Sequence, residues 1–193
     1  MATVAEALAA ARHRLVASDS AELDAELLLG HVLGLPRTVL LAHDERPLAA
    51  DDAARLDALV ARRAAGEPVA YLTGRRGFWT LELEVTPDVL VPRPETELLV
   101  ELALARLPTG TCRVLDLGTG SGALALAIAA ERPDAVVDAV DDSAAAIAVA
   151  RRNAERAGLS NLRLAVGHWF APAGGRRYHA IVANPPYLAA DDP

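Results

Sequence analysis

Lysine is missing from this chain: every one of its 19 basic residues is an arginine. Schiff-base chemistry on a lysine amine is excluded, and so is a phosphate-binding P-loop, which needs one. Cysteine is nearly missing too. Cys112 stands alone, so no internal disulfide can form, and its solitary state fits a reducing cytoplasm. The five histidines, at 13, 31, 43, 168 and 179, show no metal-ligand spacing, and no metal is expected. Aromatic residues are only 4% of a sequence that is 52% hydrophobic and rich in alanine. No apolar run reaches the length of a membrane span, so no membrane partner is expected. The opening stretch, MATVAEALAAARHRLVASDS, lacks the basic-then-apolar layout of a secretion signal. Positive charge is nowhere in excess. Residues 1–85 carry 9 Arg against 13 acids, residues 86–193 carry 10 against 13, and the net charge is −7. That balance argues against direct nucleic-acid contact.

What is present falls into three kinds of text. The first third reads as short helices. Thr3 and Glu6 are spaced as a capping box, and Val4, Leu8, Ala11 and Leu15 follow helical periodicity. A second helix is predicted over Ala21 to Leu33 with Gly34 as its stop. A third is predicted over Asp51 to Ala65, with Leu56, Leu59, Val60 and Arg63 on one face. The period then changes. Leu81, Leu83 and Val85 alternate with Thr80, Glu82 and Glu84, the pattern of a half-buried strand. A turn at Thr86-Pro87-Asp88 and a short strand over Val89 to Val91 would complete a hairpin. Pro94, followed by acids, opens a further helix. From Cys112 onward, apolar strands (CRVLDL, AVVDAV, LRLAVG, YHAIVA) alternate with helices (GALALAIAAE, SAAAIAVARRNAERAG). This is the signature of an α/β chain with a parallel, doubly wound sheet.

Gly118-Thr119-Gly120-Ser121-Gly122 follows the first buried strand and starts its helix. Glycines there let the backbone turn tightly and let a ligand lie against it. The loop alone does not exclude NAD, because Gly118, Gly120 and Ala123 also satisfy the dinucleotide fingerprint. Asp141 ends the second strand, 19 residues after Gly122, where a carboxylate accepts from the ribose hydroxyls of a bound nucleoside. A helix N-cap role suits Asp142 or Ser143 better. Asp116, inside the first strand, could reach a ligand amine or order the loop backbone.

The run HAIVANPPY places Asn184, Pro185, Pro186 and Tyr187 at the carboxyl end of the fourth strand. Two prolines stop sheet pairing, since neither donates an N–H. Asn184 offers an amide oxygen, Pro185 offers a carbonyl on a stiff backbone, and Tyr187 offers a flat wall. Two convergent acceptors suit a substrate –NH2. They would orient a delocalised nitrogen and stabilise the positive charge it develops on attack. Such a nitrogen needs a strong electrophile, and a methyl on a sulfonium is one. Glycine loop, ribose acid and NPPY together therefore point to S-adenosyl-L-methionine (SAM) and not NAD.

At this point a family resemblance can be stated. EPVAYLTG, VLVPRPETELLVE, VLDLGTGSGALALAIA, AVDDSAAAIAVARRNA, HWF and NPPYLAADDP resemble, in order and spacing, the HemK/PrmC family. Its members are protein-(glutamine-N5) methyltransferases that modify class I peptide chain release factors. The resemblance implies a small helical substrate-recognition domain over 1–74 and a β-hairpin linker over 75–93. A Rossmann-like class I SAM-dependent methyltransferase domain would occupy 94–193, incomplete because it holds only the first four strands. It further implies a cofactor pocket of Gly118, Thr119, Gly120, Ser121, Gly122, Asp141, Trp169 and Asn184. Asn184, Pro185, Pro186 and Tyr187 would hold the glutamine amide of a Gly-Gly-Gln loop. The residues themselves leave Trp169 and Phe170 equally readable as core. A cytoplasmic monomer acting on a protein substrate is expected. Two departures stand out. The family usually has Asp before the tryptophan, where an acid accepts from the adenine amine; here it is His168, and weaker adenine recognition is expected. The family's sheet also continues past its fourth strand, so His179–Ala183 would be paired on one side only and the chain is expected to be a fragment. Two rival readings stand beside this one: an adenine-N6 DNA methyltransferase acting on a flipped base, or an inactive, truncated SAM-binding remnant.

Overall fold

The computed structural model describes residues 2–185. Contacts divide the chain into two units, Met1–Gly74 and Arg75–Pro193. The first is a helical bundle: α1 (Val4–Arg14), α2 (Ala21–Leu33), α3 (Arg37–Ala42), α4 (Ala50–Ala64) and α5 (Val69–Thr73). Thr3 caps α1 through a reciprocal pair: the Glu6 N–H donates to Thr3 Oγ1 at 3.2 Å, and the Thr3 N–H donates to Glu6 Oε2 at 2.9 Å. Gly34, at φ 64, ends α2 in the left-handed conformation that glycine adopts without a Cβ clash. The short helices α3 and α5 lie outside the predicted elements. Each begins after a proline in extended conformation, Pro36 and Pro68, and at 6 and 5 residues each is too short to show a period.

Val4, Ala11, Leu15, Leu28, Leu29, Val32, Leu40, Leu56, Val60 and Leu72 pack into one core in this unit. Arg63 shares a helix face with Leu56 and Val60 because it has a buried partner. Its Nε donates to Asp24 Oδ2 at 2.8 Å. Asp24 also accepts from Ser18 Oγ at 2.8 Å and Ser20 Oγ at 3.0 Å. The pair thus joins α2 to α4 with every carboxylate oxygen engaged.

The second unit opens with a hairpin that lies one strand earlier than the alternation placed it. β1 (Arg75–Phe78) pairs antiparallel with β2 (Leu81–Glu84), with Phe78 opposite Leu81. Residues Val89 to Val91 form no strand. The Thr86-Pro87-Asp88 turn exists, closed by the Val89 N–H to Thr86 O at 3.1 Å, but the chain after it does not return to pair with β2. The two-residue loop is Trp79-Thr80, and Trp79 takes φ 55 where hairpins usually place glycine. Carboxylates hold it there: Glu97 Oε1 accepts its backbone N–H and Glu131 Oε1 its indole N–H, both at 2.8 Å.

After a 3-10 turn (Pro94–Thr96) and α6 (Glu97–Leu104) comes the parallel sheet: β3 (Arg113–Leu117), β4 (Val136–Asp141), β5 (Leu162–Val166) and β6 (Ala180–Ala183). Its order is β5-β4-β3-β6. Helices α7 (Ala123–Glu131) and α8 (Ala144–Arg156) make the crossovers. Residues Ala123 to Ala129 of α7 are all buried, so this helix is apolar all round and central to the packing. The register decides where the chemistry sits. Leu117 pairs with Val140 and with Ala183, and Asp141 pairs with Val166. The residues immediately after β3, β4, β5 and β6 therefore emerge at one rim. Among the described residues, β6 pairs only with β3.

The Asp24–Arg63 pair yields a stability test. Asp24→Ala leaves a half-buried guanidinium without its partner and is expected to cost about 3 kcal/mol. Adding Arg63→Met should recover part of that loss. Urea titration of the intact chain checks both, and a single variant as stable as the parent would contradict the assignment.

Candidate functional site

The loop after β3 is built from three left-handed glycines, Gly118 at φ 68, Gly120 at φ 55 and Gly122 at φ 86. Its backbone is tied to the end of β4. The N–H groups of Gly118 and Thr119 both donate to Val140 O, at 2.9 and 3.0 Å. The Gly120 N–H donates to Asp141 Oδ2 at 2.8 Å, while Asp141 Oδ1 accepts from the Ser143 N–H at 3.0 Å. Ser143 is the N-cap of α8, accepting from the Ala146 N–H at 3.1 Å. Asp141 is thus free of capping duty, and a lone pair on each of its oxygens remains for a ligand.

A cavity of about 380 Å³ lies above this rim, walled by Gly118, Gly120, Asp141, His168, Trp169, Asn184 and Pro185, among others. A Cβ added at Gly118 or Gly120 would meet nothing within 4 Å. Bare loop backbone therefore faces open space, which is what a nucleoside-bearing ligand needs for close approach. Thr119 and Ser121 are buried and wall a smaller neighbouring cavity of about 50 Å³ that also touches Thr96, Asp116 and Asn184. Gly122 begins α7, and a Cβ there would come within 2.7 Å of Leu126 Cδ1. Its absence of a side chain serves helix packing.

Trp169, at φ 46, is 49% exposed and Phe170 is 55% exposed, so neither is core. Trp169 stands at the cavity wall with the His168 ring edge-on to it, centroids 6.2 Å apart. Asn184 comes directly after β6. Its Nδ2 donates to Thr96 Oγ1 at 3.0 Å, across 88 residues of sequence. Pro185 is exposed beside it. Pro186 and Tyr187 lie outside the described residues.

Asp116 is fully buried. Its Oδ2 accepts from Thr119 Oγ1 at 2.7 Å, while its Oδ1 has no partner. Of the two roles open to it, ordering the loop is realised, through the Thr119 hydroxyl. Burial pushes its carboxyl up to about 6 from 3.8, against the opposing hydrogen bond from Thr119.

Two polar residues of this region carry no readable sequence signal. Thr96 is one. Asn153 on α8 is the other: its Oδ1 accepts the Glu84 N–H at 2.7 Å, and its Nδ2 donates to Glu84 O at 3.0 Å and Ser121 O at 2.9 Å. One buried amide thus joins the hairpin, the glycine loop and the second crossover helix.

Asp116 makes stability depend on pH. Because its folded value is raised, its contribution is full below 3.8 and is lost as pH climbs through about 6. Asp116→Asn cannot ionise. Between pH 4 and pH 7 the stability of the parent should fall relative to this variant by on the order of 3 kcal/mol. Denaturant titrations at the two pH values check it; parallel curves would overturn it.

The family model described as the PrmC N-terminal domain matches residues 6–74, and that described as the methyltransferase small domain matches residues 94–192. Curated relatives described as release factor glutamine methyltransferases are similar throughout. The one from Salmonella typhimurium is 53% identical over 176 residues, 91% of this chain and 64% of the relative. The one from Escherichia coli is 51% identical over 180 residues, 93% of this chain and 65% of the relative. This chain therefore spans just under two-thirds of the length of these relatives. A solved SAM-dependent methyltransferase from Agrobacterium tumefaciens superposes with a TM-score of 0.49 at 25% identity, covering 58% of this chain and 39% of the other. The relative from Burkholderia pseudomallei is 52% identical over 202 residues, 100% of this chain and 70% of its own length. By that identity and coverage, the chain belongs to the family of release factor glutamine methyltransferases.

Proposed function

We propose that the cavity above Gly118 and Gly120 holds SAM, and that the chain transfers a methyl group to the side-chain amide nitrogen of the Gly-Gly-Gln glutamine in class I release factors. One observation carries the reading: the register of β3, β4, β5 and β6 brings Gly120, Asp141, Trp169 and Asn184 to one cavity wall. SAM would supply an electrophilic methyl on a sulfonium, with a neutral thioether as leaving group. The residues do the rest. Asp141 would accept from the ribose hydroxyls on the lone pairs left by Gly120 and Ser143. Trp169 would give the adenine a flat wall, and His168 would accept from its amine. Asn184 Oδ1 and the Pro185 carbonyl would accept the two N–H bonds of the glutamine amide. That aims the nitrogen lone pair and stabilises the charge it gains before a proton leaves to water. Pro186 would stiffen the run and Tyr187 would offer the amide a flat face, as the family resemblance implies. We further propose a cytoplasmic monomer that contacts no nucleic acid directly.

Two outcomes test this reading. With labelled SAM, the chain should label a class I release factor and leave duplex DNA unlabelled, and Asn184→Ala should slow transfer about 100-fold. Labelled DNA with an unlabelled release factor would reject the assignment. At the adenine, His168→Asp should tighten SAM about fivefold by titration calorimetry, because a carboxylate is the stronger acceptor. An unchanged Kd would remove His168 from the adenine site.

A further inference from the structure

We propose that Asp138 is a positioning residue for Trp169: through Tyr178 and Arg176 it fixes the turn that carries the adenine wall. The inference rests on the function proposed above and adds a residue to it. Asp138 lies inside β4, where the neighbouring residues are apolar. Val137 and Ala139 pack in the main core, while Val140 packs on the other face with Leu115, Leu117 and Ala173. Asp138 shares that second face and is 3% exposed. A carboxylate is costly to bury there, and an apolar residue would serve the sheet at least as well. What the carboxylate adds is a directed bond. Among the described residues its side chain engages only Tyr178 and Arg176, both in the stretch between β5 and β6.

The donors and acceptors of this group fit together in one way. Guanidinium N–H groups only donate, and a carboxylate only accepts. The Tyr178 hydroxyl therefore donates to Asp138 Oδ2 at 2.8 Å and accepts from Arg176 Nε at 3.3 Å. Arg176 Nε also stands 3.4 Å from Asp138 Oδ2, and Arg176 Nη2 donates to Pro172 O at 2.7 Å. Pro172 in turn fills the space over Gly167, where a Cβ would come within 2.5 Å of Pro172 Cγ. The Gly167 N–H donates to Asp141 O at 2.9 Å. Inside the turn, the Ala171 N–H donates to His168 O at 3.0 Å and the Ala173 N–H to Phe170 O at 2.9 Å. The segment that carries His168 and Trp169 is thus fastened twice to one strand, at Asp141 and at Asp138. That strand also supplies the ribose acid, so β4 sets the spacing between acid and adenine wall. Trp169 holds its φ of 46 with a half-exposed ring, a conformation that relaxes when the turn around it loosens.

Tyr178→Phe keeps the ring and removes the bond to Asp138. Arg176→Met, at a side chain 39% exposed, removes the bond to Pro172 without opening the core. Fluorine NMR of the chain carrying fluorotryptophan reads the turn without ligand. The chain holds two tryptophans, and Trp169→Phe assigns their resonances. In both variants the Trp169 resonance should shift or broaden while that of Trp79 stays in place. Titration calorimetry should show SAM binding about fivefold weaker in Tyr178→Phe. In methyl transfer to a release factor, KM for SAM should rise alike, with kcat at saturating SAM within about twofold of the parent. A general loss of stability would not split KM from kcat in this way. An unmoved Trp169 resonance in both variants, or a kcat that falls with KM for SAM unchanged, would overturn the proposal. If the parent binds no SAM, the function reading itself falls, and fluorine NMR alone decides whether Asp138 holds Trp169.

Discussion

The hydrogen bond from the Gly120 N–H to the Asp141 carboxylate is the contact on which the site is assembled. A loop with three left-handed glycines is conformationally costly, because glycine surrenders more freedom on folding than any other residue. It holds one shape here because its amides are claimed in turn. Val140 O takes two, Asp141 takes the third, and Thr119 O takes the N–H of Gly122 at 2.8 Å. Every acceptor but the last belongs to the end of β4. The parallel register puts that end beside the loop, so a one-residue slip of β4 against β3 would remove Asp141 from reach and point its side chain to the opposite face.

Asn153 extends the same logic away from the rim. A buried amide with an unmet donor or acceptor costs on the order of 1–3 kcal/mol, and Asn153, 2% exposed, has both ends engaged. Its partners are backbone groups of Glu84 and Ser121, which no hydrophobic contact could orient. The sheet supplies the position of the loop, and this side chain fixes the loop relative to the hairpin and α8.

These two residues also mark the boundary of what the sequence makes legible. The strands and helices from Cys112 to Ala183 can be read because each apolar run is bounded by turn residues and its period is unambiguous. Asp141 can be read because its role comes from local position, at the end of a strand one crossover after a glycine loop. The hairpin cannot be placed, because Trp79 sits where glycine would have signalled the turn, and the carboxylates that hold it there, Glu97 and Glu131, are distant in sequence. Thr96 and Asn153 are illegible for the same reason. Their partners lie 88 and 69 residues away, and no short-range pattern encodes a contact at that separation.

Strain is distributed unevenly over the second unit, and its distribution agrees with the site. Two tryptophans take positive φ, Trp79 at 55 and Trp169 at 46. Bulky residues rarely adopt that region, and each instance costs on the order of 1–3 kcal/mol. At Trp79 the cost is offset visibly by two carboxylate hydrogen bonds. Trp169 shows no comparable hydrogen bond among the described residues; its ring stands half-exposed at the cavity wall, edge-on to His168. Asp116, with one buried oxygen unpartnered, lines the adjoining space. A fold selected for stability alone would have placed a glycine at 169 and an amide or apolar residue at 116. Local rules are relaxed at the rim where β3 and β5 end, the rim that also carries the glycine loop and Asp141, as is expected where function competes with stability.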